Sequence, residues 1–191
     1  DCGTGIGPMM EAARMIAKSG AKPKRTILFI GFAGEEFGLL GAQAWVKAHK
    51  DKLPKIANLF NRDGGPEPPV GISVPQAMYD DFVKISEPIQ KIRPDYPFEV
   101  KVREPRKRPT RMGGTDASVF AIEGVPTLGF TTEDFKGYDF DYGEIWHTER
   151  DLYTKNIPEY QEHTATVTAI IALGVANLDK QLSREGLYTE E

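Results

Sequence analysis

Three places in this sequence have side chains able to hold a divalent cation and to use it: the doubled glutamate Glu35-Glu36, the aspartate Asp63 and the histidine His147. Glu35-Glu36 closes the apolar run "RTILFIGFAG", Asp63 stands near the end of "KIANLFNRDGG", and His147 lies in the loop that follows "VPTLGFTT". Carboxylate oxygen combined with imidazole nitrogen suits zinc and related cations. Neighbouring carboxylates at a strand-to-helix turn can point differently. One can then bind metal while the other faces a water whose pKa the metal has lowered from ~15.7 toward ~7. The competing explanation of Glu35-Glu36 is helix chemistry, since acidic residues are favoured in a first turn that faces the positive end of the macrodipole. Whether the three segments deliver their side chains to one place decides between the two.

The elements that must do the positioning alternate along the chain. Helical spacing of Met9, Ala13, Ile16 and Ala17 predicts a helix over 5–19, stopped by Gly20. Residues 25–34 read as a buried strand, 37–50 as a helix and 55–65 as a second strand. A short strand at 70–74 precedes a helix over 75–92, and 97–104 alternates as a half-buried strand does. Residues 115–124 read as a helix, 125–132 as a strand, 133–155 as a long irregular loop and 157–182 as the closing helix. Alternating strands and helices point to an α/β fold with a largely parallel sheet. In such sheets ligands collect at the carboxyl ends of the strands, where Glu35-Glu36, Asp63 and His147 are expected.

A chain of 191 residues is long enough for one α/β domain with a sizeable core, and we assign residues 1–191 to a single domain. The formal charge of −4, from 24 basic and 28 acidic residues, argues against a general nucleic-acid binder. No apolar stretch approaches the ~20 residues needed to span a bilayer. Cys2 is the sole cysteine, which excludes an internal disulfide and a thiolate zinc cluster.

Five segments in order, "DCGTG" (1–5), "AGEEFGLLGA" (33–42), "NRDGG" (61–65), "GGTDASVF" (113–120) and "WHTERD" (146–151), resemble the catalytic half of the co-catalytic zinc exopeptidases. Bacterial leucyl aminopeptidases and plasma glutamate carboxypeptidase belong to that family. The resemblance implies a three-layer α/β/α sandwich with a mostly parallel mixed sheet. It implies that Asp1 bridges two zinc ions, that Glu35 is the general base, and that Glu36 and His147 hold one ion while Asp63 holds the other. Asp116 is implied as a neighbour of the site, and Asp151, four residues after His147, as a residue orienting the loop or the imidazole. Asp116 reads more readily as a helix N-cap after a Gly-Gly turn, and Asp151 equally as a capping or turn residue.

The sequence departs from the family at three points. The family's His-x-Asp histidine is absent, Cys2 follows Asp1 where Asn or Asp is usual, and Ala117 follows Asp116 where many relatives have His. The complete family site holds two zinc ions, so this chain, one ligand short, is expected to hold one or none. The resemblance also implies that the N-terminal strands lie outside this chain, leaving a sheet edge open to a second copy or to strand exchange. His49, near a helix end, reads as a surface residue, and His163 as an ordinary helix-face residue.

"KVREPRKRPTR" (101–111) reads as a solvated basic loop, or more sharply as a rim for acidic peptide groups. "TEDFKGYDFDYGEIW" (132–146) mixes aromatics with acids just before His147 and is long enough to be a substrate-pocket wall. The expectation is the C-terminal portion of a secreted or periplasmic zinc exopeptidase acting on peptides, an aminopeptidase rather than a carboxypeptidase. Its rivals are a glutaminyl cyclase-like transferase and a non-catalytic interaction domain of the same fold.

Overall fold

The computed structural model describes residues 2–189. Helix α1 (Cys2–Lys18) buries Gly5, Pro8 and Ala12 rather than the larger apolar side chains of the predicted stripe. α1 packs along the closing helix, α6 (Pro158–Asn177). A short helix, α2 (Leu40–Ala48), follows the Glu35-Glu36 turn. Strand β1 (Pro69–Val74) leads through a 3-10 turn at Gln76–Met78 into α3 (Tyr79–Ile92), and β2 (Glu99–Val102) follows. Then come α4 (Ala117–Ile122), β3 (Phe130–Thr132) and the single turn α5 (Tyr142–Ile145).

The sheet is mixed, in the order β2-β1-β3. β1 runs parallel to β2 and antiparallel to β3, with Ile72 opposite both Val100 and Phe130. Gly71 has no room for a side chain, since a Cβ there would lie 2.4 Å from the Glu99 carbonyl oxygen. Helices build two cores around this frame. One joins Ile72 and Val74 of β1 to Met78, Phe82, Ile85 and Ile89 on the α3 side and to Val167, Ile171 and Val175 of α6. The other joins Leu39, Ala42 and Val46 to Val119, Phe120 and Val125, with Phe32, Ile56 and Leu59 packed against them. The α/β class holds, with helices packed on the extended layer.

Two predicted strands are not built as strands. Residues 25–34 form no ladder with another strand among the described residues, and Leu28 is 63% exposed where full burial was expected. Residues 55–65 contribute one parallel bridge, Leu59 with Thr127, in which the Leu59 amide donates to the Pro126 carbonyl at 2.9 Å. An apolar run specifies an extended, buried-capable segment, but a strand exists only where a neighbour supplies the matching row of amides and carbonyls.

Candidate metal centre

Glu35 and Glu36 project from a turn that lies wholly before α2. Gly34 (φ 69°), Gly38 (φ 104°) and Leu39 (φ 61°) take left-handed conformations, and the Gly38 and Leu39 amides both donate to the Glu35 carbonyl. The chain then closes on itself, with the Leu40 amide on the Gly34 carbonyl at 3.0 Å and the Gly41 amide on Ala33 at 2.8 Å. The first turn of α2 contains no acidic residue, so the helix dipole does not explain the glutamate pair.

Asp63 stands on the turn after the Leu59 bridge. Gly5 of α1 lies so close that a Cβ there would sit 2.4 Å from the Arg62 carbonyl oxygen and 2.7 Å from that of Asp63. The Arg62 guanidinium turns back to donate to the Glu67 carbonyl at 2.5 Å, and burial pulls its pKa down to about 10. Gly64, the next residue, leaves the space occupied by the Tyr142 ring, whose hydroxyl would be 2.5 Å from a Cβ at Gly64.

His147 is presented by α5. Asp141 caps that turn by accepting from the Gly143 amide at 2.8 Å, and buried Ile145 anchors it. His147 itself has φ 56°, an uncommon conformation for a non-glycine residue and one that concentrates at functional sites. Its Nε2 lies 3.0 Å from Glu36 Oε2. Asp151, four residues on, is exposed and lends negative charge to Tyr142.

The carboxylates crowd one another. Burial raises the Glu35 carboxyl above its ordinary range, and Asp63, Glu36 and Asp116 push it further. Burial and then Glu36 raise Asp63, while burial and then Asp63 raise Asp116. Asp116 occupies the N-cap position of α4 without capping it, since its side chain makes no cap bond and its Oδ1 is buried with no partner. Thr115 does the local work instead, accepting from the Ala117 amide at 3.3 Å and the Asn61 side chain at 3.1 Å.

The structure thus brings Glu36 and His147 into contact and groups Glu35, Glu36, Asp63 and Asp116 electrostatically. Asp1 lies outside the described residues. Among the described residues no three His, Cys, Asp or Glu side chains converge closely enough to hold a metal ion. Glu36 and His147 could serve as two ligands, and the donor set, an imidazole beside carboxylates that repel one another and include an orphaned buried oxygen, fits a divalent cation in its chemistry. Tyr142 was missed from sequence. Its position five residues before His147, in a loop already singled out, was the available signal.

Other expectations change in detail. His49 is a helix-end residue as expected, with Nδ1 2.9 Å from the Trp45 carbonyl oxygen. His163 lies on a helix face as expected, on the buried side: it is fully buried, stacked on Tyr96 and bonded through Nε2 to the Pro69 carbonyl at 3.0 Å. The basic run is partly structural, because Arg106 donates to Thr127 and Arg108 to the Ile122 carbonyl.

The sequence profile of peptidase family M28 matches residues 1–171. The chain belongs to peptidase family M28. This M28 chain is 24% identical over 189 residues to mouse carboxypeptidase Q, covering 96% of this chain and 36% of that protein. Among solved structures, a peptidase M28 precursor from Shewanella amazonensis SB2B superposes with a TM-score of 0.74 at 26% identity, over 96% of this chain and 38% of that one. The zinc aminopeptidase BSAP from Bacillus subtilis shares the fold, with a TM-score of 0.58 at 18% identity over 96% of this chain and 43% of that one. The chain therefore spans little more than a third of the length of the curated relatives it matches. No helix among the described residues is long and apolar enough to cross a membrane.

Proposed function

We propose that this chain is a single-domain catalytic portion of a zinc-dependent exopeptidase, and that it serves an aminopeptidase rather than a carboxypeptidase. The observation that carries the reading is the Glu36–His147 contact beside a Glu35 carboxyl crowded by Asp63, Glu36 and Asp116. When zinc is bound, Glu36 and His147 would hold one ion and Asp63 would serve the other, with Asp1 as a further ligand. When bound, zinc supplies a Lewis acid and makes a water acidic enough to lose its proton near neutral pH. Glu35 is then the base. It accepts that proton at its carboxylate and delivers it to the departing amine. Asp116 and Asp151 act from behind, the first on the carboxylate group and the second on the loop around His147.

The acids of the 132–146 segment just before His147 support the aminopeptidase reading, because they suit a peptide's α-ammonium. In the full-length protein, Glu35→Gln should cut kcat by about 10²–10⁴-fold with zinc content retained. Zinc lost on that change overturns the base assignment. His147→Ala should instead lower bound zinc, read by elemental analysis, and unchanged stoichiometry removes it from the ligand set. For residues 1–191 alone we expect one zinc per chain at Glu36 and His147. Cyclisation of N-terminal glutamine peptides without cleavage would favour the transferase, and neither activity a binding role.

Export to a secreted or periplasmic compartment is part of the same reading, supported by the Shewanella relative's description as a precursor. Fractionation of the full-length protein tests it. The unladdered run at 25–34, with Leu28 exposed, supports pairing with a second copy of the chain.

A further inference from the structure

Beyond the carboxylates, a second polar cluster organises the loop between β3 and His147. Asp134 is its centre. One carboxylate oxygen accepts the Tyr138 amide at 3.0 Å and the Tyr160 hydroxyl at 2.5 Å, and the other accepts the Phe140 amide at 3.3 Å. The Asp134 carbonyl takes the Gly137 amide at 3.1 Å. The Tyr160 hydroxyl, at the start of α6, in turn accepts the Lys136 amide at 3.0 Å. One phenol and one aspartate thus satisfy four consecutive-range amides, at 136, 137, 138 and 140, of a segment with no regular structure of its own.

The cluster is fixed from outside the loop. Tyr160 is fully buried, and Lys136 reaches Glu159 at 2.6 Å and Asp95 at 3.4 Å. Tyr96 donates to Glu159 at 3.1 Å and stacks on buried His163 at 3.9 Å. Downstream, the loop is pinned again where the Tyr142 ring fills the space over Gly64, next to Asp63. Between the pins run residues 135–141, with Gly137 at φ 72°, Asp139 at φ 57° and Tyr138 half exposed.

We propose that Tyr160 and Asp134 are positioning residues for the peptide substrate: they hold the 135–141 wall beside Asp63 and His147, against which the terminal side chain of the peptide rests. The inference rests on the peptidase reading above. Neither residue touches the reacting atoms, so their loss weakens substrate engagement and leaves the chemical step intact.

The test uses the full-length protein. Tyr160→Phe keeps the buried ring and deletes only the hydroxyl, and Asp134→Ala removes the other half of the latch. Each should speed hydrogen exchange at the 136, 138 and 140 amides and raise KM for peptide substrates about tenfold, the effect of losing one well-placed hydrogen bond. Both should leave kcat within about twofold and zinc content unchanged. The double variant should be no worse than the poorer single one, because the two act as one device. Unchanged exchange in Tyr160→Phe, or faster exchange at unchanged KM, overturns the proposal. A wild-type protein that cleaves no peptide sinks the peptidase reading instead, and with it the substrate role. A wild type that cleaves, matched by its Tyr160→Phe variant, sinks the latch alone.

Discussion

A carboxylate beside other carboxylates and turned away from water is costly to ionise, and Glu35, Asp63 and Asp116 share that cost. Asp116 bears it without any cap bond in return. A group whose folded pKa is raised stabilises the fold least once pH has risen past that pKa. Replacing Asp116 with Asn should therefore raise the melting temperature of the metal-free protein at neutral pH, by about 1 kcal/mol or less in stability. The gain should vanish in acid, where the native carboxyl is protonated too; a gain that persists at low pH contradicts the electrostatic account. His163 works in the opposite direction. Burial pulls its pKa down to about 4 from 6.5, so the unfolded chain binds the proton first. Its contribution is complete above about pH 6.5 and is lost as pH falls toward 4, at most about 3 kcal/mol. Urea unfolding at pH 7 and pH 4.5 should show this loss, and the His163→Phe variant should lack that part of the slope.

Elements meet here through glycines that leave no space to spare. On α6, a Cβ at Gly174 would fall 2.4 Å from Ile85 Cγ2 of α3, inside the main core. Gly174→Ala should cost about 1–3 kcal/mol by overpacking. Ile85→Ala in the same chain should recover part of that loss, and a strictly additive double variant would show that the two helices do not meet this way. Gly41 is placed differently, since its Cβ would meet backbone at Ala33, 2.6 Å from the carbonyl oxygen. Backbone cannot rotate aside as a side chain does, so Gly41→Ala should displace the turn carrying Glu35 and Glu36 and lower zinc binding. Native zinc content in that variant would place the strain elsewhere.

At the scale of the molecule, the extended run 25–34 is the element whose sequence and surroundings agree least. Leu28 is 63% exposed, and Met10 (64%) and Ile6 (42%) of α1 are exposed as well, with Ile6 reaching Gly31. Apolar side chains beside unladdered backbone favour association. Residues 1–191 should sediment with a concentration-dependent increase in mass, and Leu28→Lys should suppress it. A monomer at all concentrations would remove the second copy from consideration.

The kinds of side chain at the centre, and their order along the chain, were legible from the sequence alone, because ligand chemistry is a property of residue type. Glu35-Glu36 after an apolar run, Asp63 before a Gly-Gly pair and His147 after a long loop required no coordinates to be singled out. Helices were legible for a related reason: their hydrogen bonds are local, so the pattern that makes α3 amphipathic lies within the element itself. Strands were not. A ladder is a bargain between distant segments, and the same apolar pattern gave a central strand at Pro69–Val74, one bridge at Leu59 and an unpaired run at 25–34. Only the tertiary structure could place Tyr142 over Gly64, tie Asp134 to Tyr160 across 26 residues and bury His163 against Tyr96. Those contacts depend on where whole elements come to rest, and no local periodicity encodes that.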